Sequence, residues 1–342
     1  MRQSPRILSA VAVAVLALPL LAACGSDGES GGGEPLLVVY NAQHEELIDA
    51  VAKAFTEKTG TEVQLRNGAD LELGNQLAAE GDASPADVFL TENSPAMALV
   101  DSKNLFAKLD QSTLDKIPAQ YRPDDGAWTG FAGRSTVLVY NTDQVAEDEL
   151  PASLMDLSKS EWRDRISFSP TGADFQAIVA AVLATEGEQA TEQWLAGLKT
   201  NGTVYDGNNV VLESVDSGEK EAGVIYHYYW YRDQEESGEN SDSSQLHLFG
   251  NKDPGAFISV SGAGVLKSSD DAEDAQAFVE YLVSDEGQKV IADSYALEYT
   301  LNPQVDLGRG VKPLSELDPP AVDISSLDGP KVVEMMQEAG FL

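Results

Sequence analysis

The chain has 342 residues, a formal net charge of −35 and a single cysteine. So acidic a surface repels nucleic acid and anionic lipid headgroups, and one cysteine excludes a disulfide within the chain. No nucleic-acid partner is therefore expected. About 307 residues follow Pro35, which is more than one hydrophobic core usually carries, so two lobes are expected.

The first 35 residues have the pattern of an export signal followed by a tether. Two arginines precede an apolar run of about 15 residues, which is shorter than the roughly 20 needed to span a bilayer. The run ends in LAAC at Cys24, as in bacterial lipoprotein signals, and a Gly/Ser/Glu-rich stretch follows. We predict a signal peptide over residues 1–23, and a lipidated Cys24 with a flexible tether over 24–35. A secretory signal with a chance cysteine is the alternative.

The segment after Pro35 alternates strand and helix patterns. LLVVY at 36–40 is an apolar strand, and the helical pattern that follows places five apolar residues on one face before Gly60: Leu47, Ile48, Val51, Ala52 and Phe55. TEVQLR alternates like a strand, a helix is expected near residues 71–79, and PADVFLT is a third strand. This βαβαβ pattern predicts a parallel sheet with helices on its faces. STVLVYN at 135–141 is a further strand.

The second half repeats the pattern. RISFSP reads as a strand, and the next segment has apolar residues at the i, i+3, i+4, i+7 and i+8 positions of an amphipathic helix: Phe175, Ile178, Val179, Val182 and Leu183. A helix around Trp194, a strand AGVIYH, one or two strands in DPGAFISVSGAGVLK and a helix over 275–282 complete the pattern. Two α/β units predict two lobes with a cleft between them.

Polar residues directly follow five of the predicted strands. They are His44, Glu92, the turn at 169–173, Asn208 and the pair Tyr228–Tyr229. Open parallel α/β sheets bind ligands beyond the carboxyl ends of their strands. We therefore expect the two lobes to bring these residues together.

The stretch VIYHYYWYRD contains four of the eleven tyrosines. If its strand ends near Tyr226 or His227, Tyr228 and Tyr229 lie about 100° apart in a helical turn and can converge, whereas in a strand they would diverge. A histidine, a carboxylate and two phenols form a hard donor set without thiolates. Forming phenolates near pH 7 requires a highly charged cation, and Fe³⁺ fits. Taken alone, such an aromatic run is more often part of a core or a stacking wall for an organic ligand than a metal site.

The stretch SPTGAD has two interpretations. Thr171 and Gly172 lie at a predicted helix N-terminus, where unpaired N–H groups and the helix dipole favour an anion. Ordinary capping by Ser169 or Thr171 is the alternative. In the same way, Asn208 either donates to that anion or caps its own helix.

The segments VYNAQHEELIDAVAKAFTEKTG, PADVFLTEN, GRSTVLVYN, YHYYWYRD and DPGAFISVSGAGVLK together resemble the ferric-ion-binding proteins of bacterial ABC iron importers. The resemblance runs from Leu36 to the C-terminus. It implies an α/β, two-lobed periplasmic-binding-protein fold of type II, with discontinuous lobes, a hinge and an interlobe cleft. Lobe 1 would comprise residues 36–136 and about 259–309, and lobe 2 residues 137–258 and about 310–342.

The resemblance also implies the residues of the site. His44, Glu92, Tyr228 and Tyr229 would ligate Fe³⁺. A synergistic anion such as phosphate or carbonate would lie on the turn, with Asn208 beside it, at the residues Thr171, Gly172, Ala173, Asn208 and Tyr226. In this family two asparagines commonly precede the tyrosine pair; here those positions are Tyr226 and His227, and Asp174 adds a negative charge next to the turn.

The implied function is capture of ferric iron outside the cytoplasm and its delivery to an ABC permease, with no enzyme activity. The protein would be a monomer, anchored at the extracytoplasmic face of the cell membrane by lipid on Cys24. The alternative is the same fold binding an organic solute (a polyamine, a thiamine-like compound or a sugar) with the Tyr/Trp run as a stacking wall. A secreted metal-dependent hydrolase is disfavoured, because HExxH and paired-carboxylate motifs are absent.

Overall fold

The computed structural model describes residues 36–342, so the predicted signal peptide, Cys24 and the tether lie outside the described residues. Within 36–342, no helix is long and apolar enough to cross a membrane. The strands are β1 (Leu36–Asn41), β2 (Glu62–Asn67), β3 (Val88–Leu90), β4 (Thr129–Asn141), β5 (Ile166–Phe168), β6 (Gly202–Val204), β7 (Ala222–Tyr226), β8 (Ser244–His247), β9 (Ile258–Val265) and β10 (Tyr299–Thr300).

The helices confirm the expected alternation with the strands. They are α1 (Glu45–Thr59), α2 (Asp70–Glu80), α3 (Ser94–Ser102), α4 (Gln111–Leu114), α5 (Ala173–Glu186), α6 (Glu188–Asn201), α7 (Asn208–Asp216), α8 (His227–Glu236), α9 (Ala272–Val283), α10 (Asp285–Asp293) and α11 (Gly329–Glu338). Helix α1 buries the predicted apolar face and ends at Gly60, whose φ of 85° is the left-handed conformation that glycine adopts easily.

Two parallel units flank an antiparallel centre in the sheet. The strand order is β2-β1-β3-β9-β4-β7-β5-β6, and β8 and β10 also pair with β4. Strand β1 is parallel to β2 and β3, as the βαβαβ pattern predicts, and β5 is parallel to β6 and β7. Strands β9 and β4 run antiparallel to each other between these units.

Strand β4 connects the two halves of the sheet. Its residues Thr129–Ser135 pair with β9, and Thr136–Tyr140 pair with β7. The strand begins six residues before the predicted one. All thirteen of its residues are buried, but Gly130, Gly133 and Arg134 interrupt the run of apolar residues from which a strand is predicted. Residues 36–342 lie in one compact unit, and the lobe boundaries stay a prediction.

The expectation that α5 is amphipathic is wrong. Its apolar residues are buried as expected, except for the half-buried Leu183, but three alanines that the pattern assigns to the opposite side are buried too: Ala177, Ala180 and Ala181. The helix packs against both α6 and α11, so it has almost no solvent face. Its first turn is thereby fixed at the end of β5, where the candidate site lies.

Candidate metal centre

Two of the predicted ligands follow parallel strands in the first half of the sheet. His44 comes after β1 and directly precedes α1, and Glu92 comes two residues after β3. The loop that carries His44 is fixed by hydrogen bonds: the His44 N–H donates to Gln43 Oε1 over 2.7 Å, and Asn41 Nδ2 donates to the Gln43 carbonyl over 3.0 Å. The His44 Nε2 atom lies 3.9 Å from Glu92 Oε1.

The tyrosine pair lies in the first turn of a helix. Strand β7 ends at Tyr226 and α8 begins at His227, which is the arrangement in which adjacent hydroxyls can converge. The Tyr228 and Tyr229 rings stack with centroids 4.3 Å apart. The Tyr228 ring also meets the His44 ring edge-on, with centroids 5.6 Å apart. The structure therefore brings together all four residues that were predicted as metal ligands.

A carboxylate that was not among the predicted ligands completes the group. Asp174, in the first turn of α5, is buried, and its Oδ2 atom accepts hydrogen bonds from Asn208 Nδ2 (2.9 Å) and from the Tyr229 hydroxyl (3.1 Å). The Tyr226 hydroxyl donates to the Asp174 carbonyl over 3.2 Å. Thus Asn208 and Tyr226, predicted as anion-binding residues, both contact Asp174.

The predicted anion turn itself lies at the edge of the site. Thr171 and Gly172 are exposed, Ala173 is half-buried, and Gly172 occupies the N-cap position of α5 without a side chain to cap the helix. The Asp174 carboxylate takes the hydrogen bond from Asn208 that the anion was predicted to receive. The residue type was visible in the sequence, but only the packing of α5 shows that Asp174 points inward.

Two donor atoms in the group have no hydrogen-bond partner within residues 36–342. They are the buried Nε2 of His44 and the buried hydroxyl of Tyr228. Buried polar atoms in folded proteins nearly always have a partner, so such atoms call for an explanation. Both belong to the predicted ligand set, and a cation between the two rings would satisfy both. The residues present thus fit a metal ion.

Burial sets the protonation of the candidate ligands. Removal from water raises the pKa of Glu92 and of Asp174 to about 7 in each case. The Glu92 charge raises the pKa of Asp174 further, whereas a hydrogen bond with Asp174 lowers the pKa of Glu92. Burial also raises the pKa of Tyr228 and Tyr229 above the ordinary phenol value, and the Asp174 charge adds to this. Burial lowers the pKa of His44, which keeps the imidazole neutral and its lone pair available.

A buried arginine offsets part of the free-energy cost of burying these carboxylates. Arg134 in β4 lies 3.1 Å from Glu298 Oε2 and 4.0 Å from Glu92 Oε1, and its guanidinium lies over the Tyr226 ring. Its charge lowers the pKa of Glu92 against the effect of burial. Glu298 precedes β10 in a stretch without a recognisable motif, so the sequence did not identify it.

His227 stands apart from the candidate ligands. It is fully buried, its Nδ1 atom accepts the Ser135 N–H over 3.2 Å, and its ring stacks on Tyr299. These contacts connect the start of α8 to β4 and β10. His247 lies in β8 and contacts the Pro151 carbonyl, remote from the site.

The donor set is chemically specific. Within residues 36–342, no three or more His, Cys, Asp and Glu side chains are grouped closely enough to hold a metal by themselves, so a metal here depends on the tyrosines. One imidazole, two carboxylates and two phenol oxygens suit a hard, highly charged cation. The arrangement at the strand ends is that of a binding site.

The fold and the site define an extracellular solute-binding protein of the type II periplasmic class. Residues 83–310 match the family described as bacterial extracellular solute-binding protein, and the chain belongs to that family. Its members bind and carry solutes and are not enzymes, as the sequence predicts.

Relatives cover nearly the whole chain. It is 50% identical to the Fe(3+)-binding periplasmic protein of Serratia marcescens over 98% of this chain and 99% of the relative. It is 37% identical to the major ferric iron-binding protein of Neisseria meningitidis, over 89% and 92% of the two chains. The crystal structure of iron-bound HitA from Pseudomonas aeruginosa is similar, with 41% identity, a TM-score of 0.84, and coverage of 90% of this chain and 99% of that one. The predicted fold class and family are therefore confirmed.

The raised carboxyl pKa values predict how pH affects the stability of the iron-free protein. Between about pH 4, where the carboxyls titrate in the unfolded chain, and about pH 7, the folded protein binds more protons, so stability rises as the pH falls. Asp174→Asn should remove about 1–3 kcal/mol of that rise. Urea unfolding at a series of pH values measures it.

Glu192→Gln is the matched control, because it removes an exposed acid from α6 and leaves the site intact. This variant should retain the pH dependence of the wild type. An identical pH dependence in Asp174→Asn and the wild type would contradict the assignment of a raised pKa to Asp174.

Proposed function

We propose that this protein captures ferric iron with His44, Glu92, Asp174, Tyr228 and Tyr229 and delivers it to an ABC permease. The observation that carries the proposal is the convergence of these five side chains around two donor atoms without partners, His44 Nε2 and the Tyr228 hydroxyl. The names of the Serratia and Neisseria relatives, which describe ferric-iron binding, support the same substrate.

Charge favours a trivalent ion over a divalent one. Two carboxylates and two phenolates bring up to four negative charges into a buried site. Phenols with a raised pKa lose their protons only if the bound cation stabilises the phenolates strongly. A divalent ion leaves a larger uncompensated negative charge at this depth, which is costly.

Binding would proceed by closure of two lobes. The predicted boundaries place His44 and Glu92 in lobe 1, and Asp174, Tyr228 and Tyr229 in lobe 2. The change of pairing partner in β4 between Ser135 and Thr136 supports a hinge at this point. An ion held by donors from both lobes stabilises the closed form, as in other hinged binding proteins.

Asp174 takes the place of a synergistic anion in this proposal. Its carboxylate already receives the Asn208 and Tyr229 hydrogen bonds, and it brings its own negative charge to the cation. The predicted phosphate or carbonate is then not required for tight binding. The donors at the start of α5 would bind such an anion once the carboxylate is removed.

Titration of Fe³⁺ into the iron-free protein tests the tyrosine ligands. A phenolate bound to Fe³⁺ absorbs visible light, so the wild type should become coloured at one equivalent. Tyr228→Phe and Tyr229→Phe should each reduce the colour and weaken binding by more than about 100-fold, since losing even an outer partner of a ligand costs 10–100-fold. Competition with a chelator measures the affinity.

Tyr231→Phe in the same helix is the control, because its ring contacts His227 and Trp230 and lies outside the group of ligands. It should bind iron like the wild type. A wild-type protein that stays colourless with Fe³⁺ and binds an organic cation instead would favour the organic-solute alternative.

The role of Asp174 predicts a dependence on added anion. Wild-type affinity for Fe³⁺ should be the same in buffers with and without phosphate or carbonate. Asp174→Ala should bind more weakly by at least about tenfold, and phosphate or carbonate should restore part of the loss, because Asn208 Nδ2 regains an acceptor. A wild type that needs added anion, together with an anion-independent variant, would refute the role.

We further propose that the protein works as a monomer tethered to the membrane by lipid on Cys24, which lies outside the described residues. The LAAC pattern before the tether supports this, and the tether leaves the site free to meet the permease. Mass spectrometry of the membrane fraction should find a diacylglyceryl group on Cys24. A soluble mature chain with a free thiol would exclude the anchor.

A further inference from the structure

A buried polar network lies behind His44. One oxygen of Glu298, Oε2, accepts hydrogen bonds from Gln43 Nε2 (3.1 Å) and Arg134 Nη1 (3.1 Å), and Ser261 Oγ lies 3.4 Å from it. The side chains of Arg134 and Glu298 are fully buried. The network thus joins the loop after β1 to β4, β9 and the segment before β10.

The other oxygen of Glu298 faces the metal centre. Its Oε1 atom is buried, has no hydrogen-bond partner within the described chain, and lies 3.4 Å from His44 Nε2. A buried carboxylate oxygen without a partner is costly unless it serves another purpose. The three contacts on Oε2 hold Oε1 in this direction.

We propose that Glu298 is a positioning residue of the ferric site and that it acts through His44. This inference rests on the proposed function. Gln43 Nε2 donates to Glu298 Oε2, and Gln43 Oε1 accepts the His44 backbone N–H. Glu298 therefore fixes the loop that carries one ligand before iron arrives.

Glu298 is expected to act on iron binding through His44 rather than through the net charge of the site. Arg134 pairs with Glu298, and the two charges shift the pKa of Glu92 in opposite directions. Oε1 of Glu298 lies 3.4 Å from His44 Nε2, whereas Tyr229 and Asp174 hydrogen-bond to each other. Loss of Glu298 should thus change iron binding only while His44 is present.

A double-mutant cycle measures this dependence. In the protein that retains His44, Glu298→Gln should weaken Fe³⁺ binding by about 10–100-fold, the usual cost of losing an outer partner of a metal ligand. In the His44→Ala background, the same substitution should change affinity by less than about threefold, as for independent sites. Both affinities come from chelator competition, and the visible absorbance reports the phenolate ligands independently.

Two further variants separate positioning from folding. Glu298→Asp keeps the charge beside Arg134 but shortens the reach to His44, and it should also weaken binding in the His44 background only. Glu221→Gln breaks the ion pair with Arg165 away from the site and should leave iron affinity unchanged. Thermal unfolding of each variant identifies any general loss of structure.

The outcomes are distinct. Equal losses from Glu298→Gln with and without His44 would overturn the positioning role, as would unchanged affinity in both Glu298 variants. If Glu298→Gln does not fold, the positioning role is tested with Glu298→Asp alone, by comparing the loss of iron affinity with and without His44. A wild type that binds no Fe³⁺ in this assay would instead refute the proposed function.

Discussion

Burial of acidic donors in one small volume is the constraint on which the site depends. Water stabilises carboxylates and phenolates, and its removal raises the pKa of Glu92 and Asp174 to about 7 and that of both tyrosines above the ordinary value. Without a cation, these groups therefore favour their protonated forms. A cation displaces them only if its charge compensates several anionic oxygens at once. In the proposed site, this desolvation thus favours a highly charged ion.

The two sets of donors are held in place by different means. His44 and Glu92 follow parallel strands and are supported by buried side chains, with Ser261 Oγ donating to the Glu92 carbonyl. Asp174 and Tyr229 hydrogen-bond to each other in the first turns of their helices, α5 and α8. Each set is thus ordered before the ion binds, which reduces the conformational entropy lost on binding.

In the proposed site, Asp174 takes the part that the resemblance assigns to a synergistic anion. An inorganic anion must be captured from solution, whereas a side chain is already attached and oriented. Its cost is a buried charge beside Glu92, which raises the pKa of Asp174. Arg134 lies close enough to both carboxylates to lower this cost, which gives a physical reason for a buried arginine in β4.

The sequence by itself determined the order of strands and helices, the family, and the candidate ligands that directly follow strands, because hydrophobic periodicity and strand ends are local features. Tyr228 and Tyr229 could be identified because adjacent residues converge only where a strand gives way to a helix. The tertiary structure alone decided the rest. It turned Asp174 inward through burial of α5 on almost every side, and it brought Glu298 to His44 from a distant segment. These contacts depend on packing between elements far apart in the chain, and no local pattern encodes them.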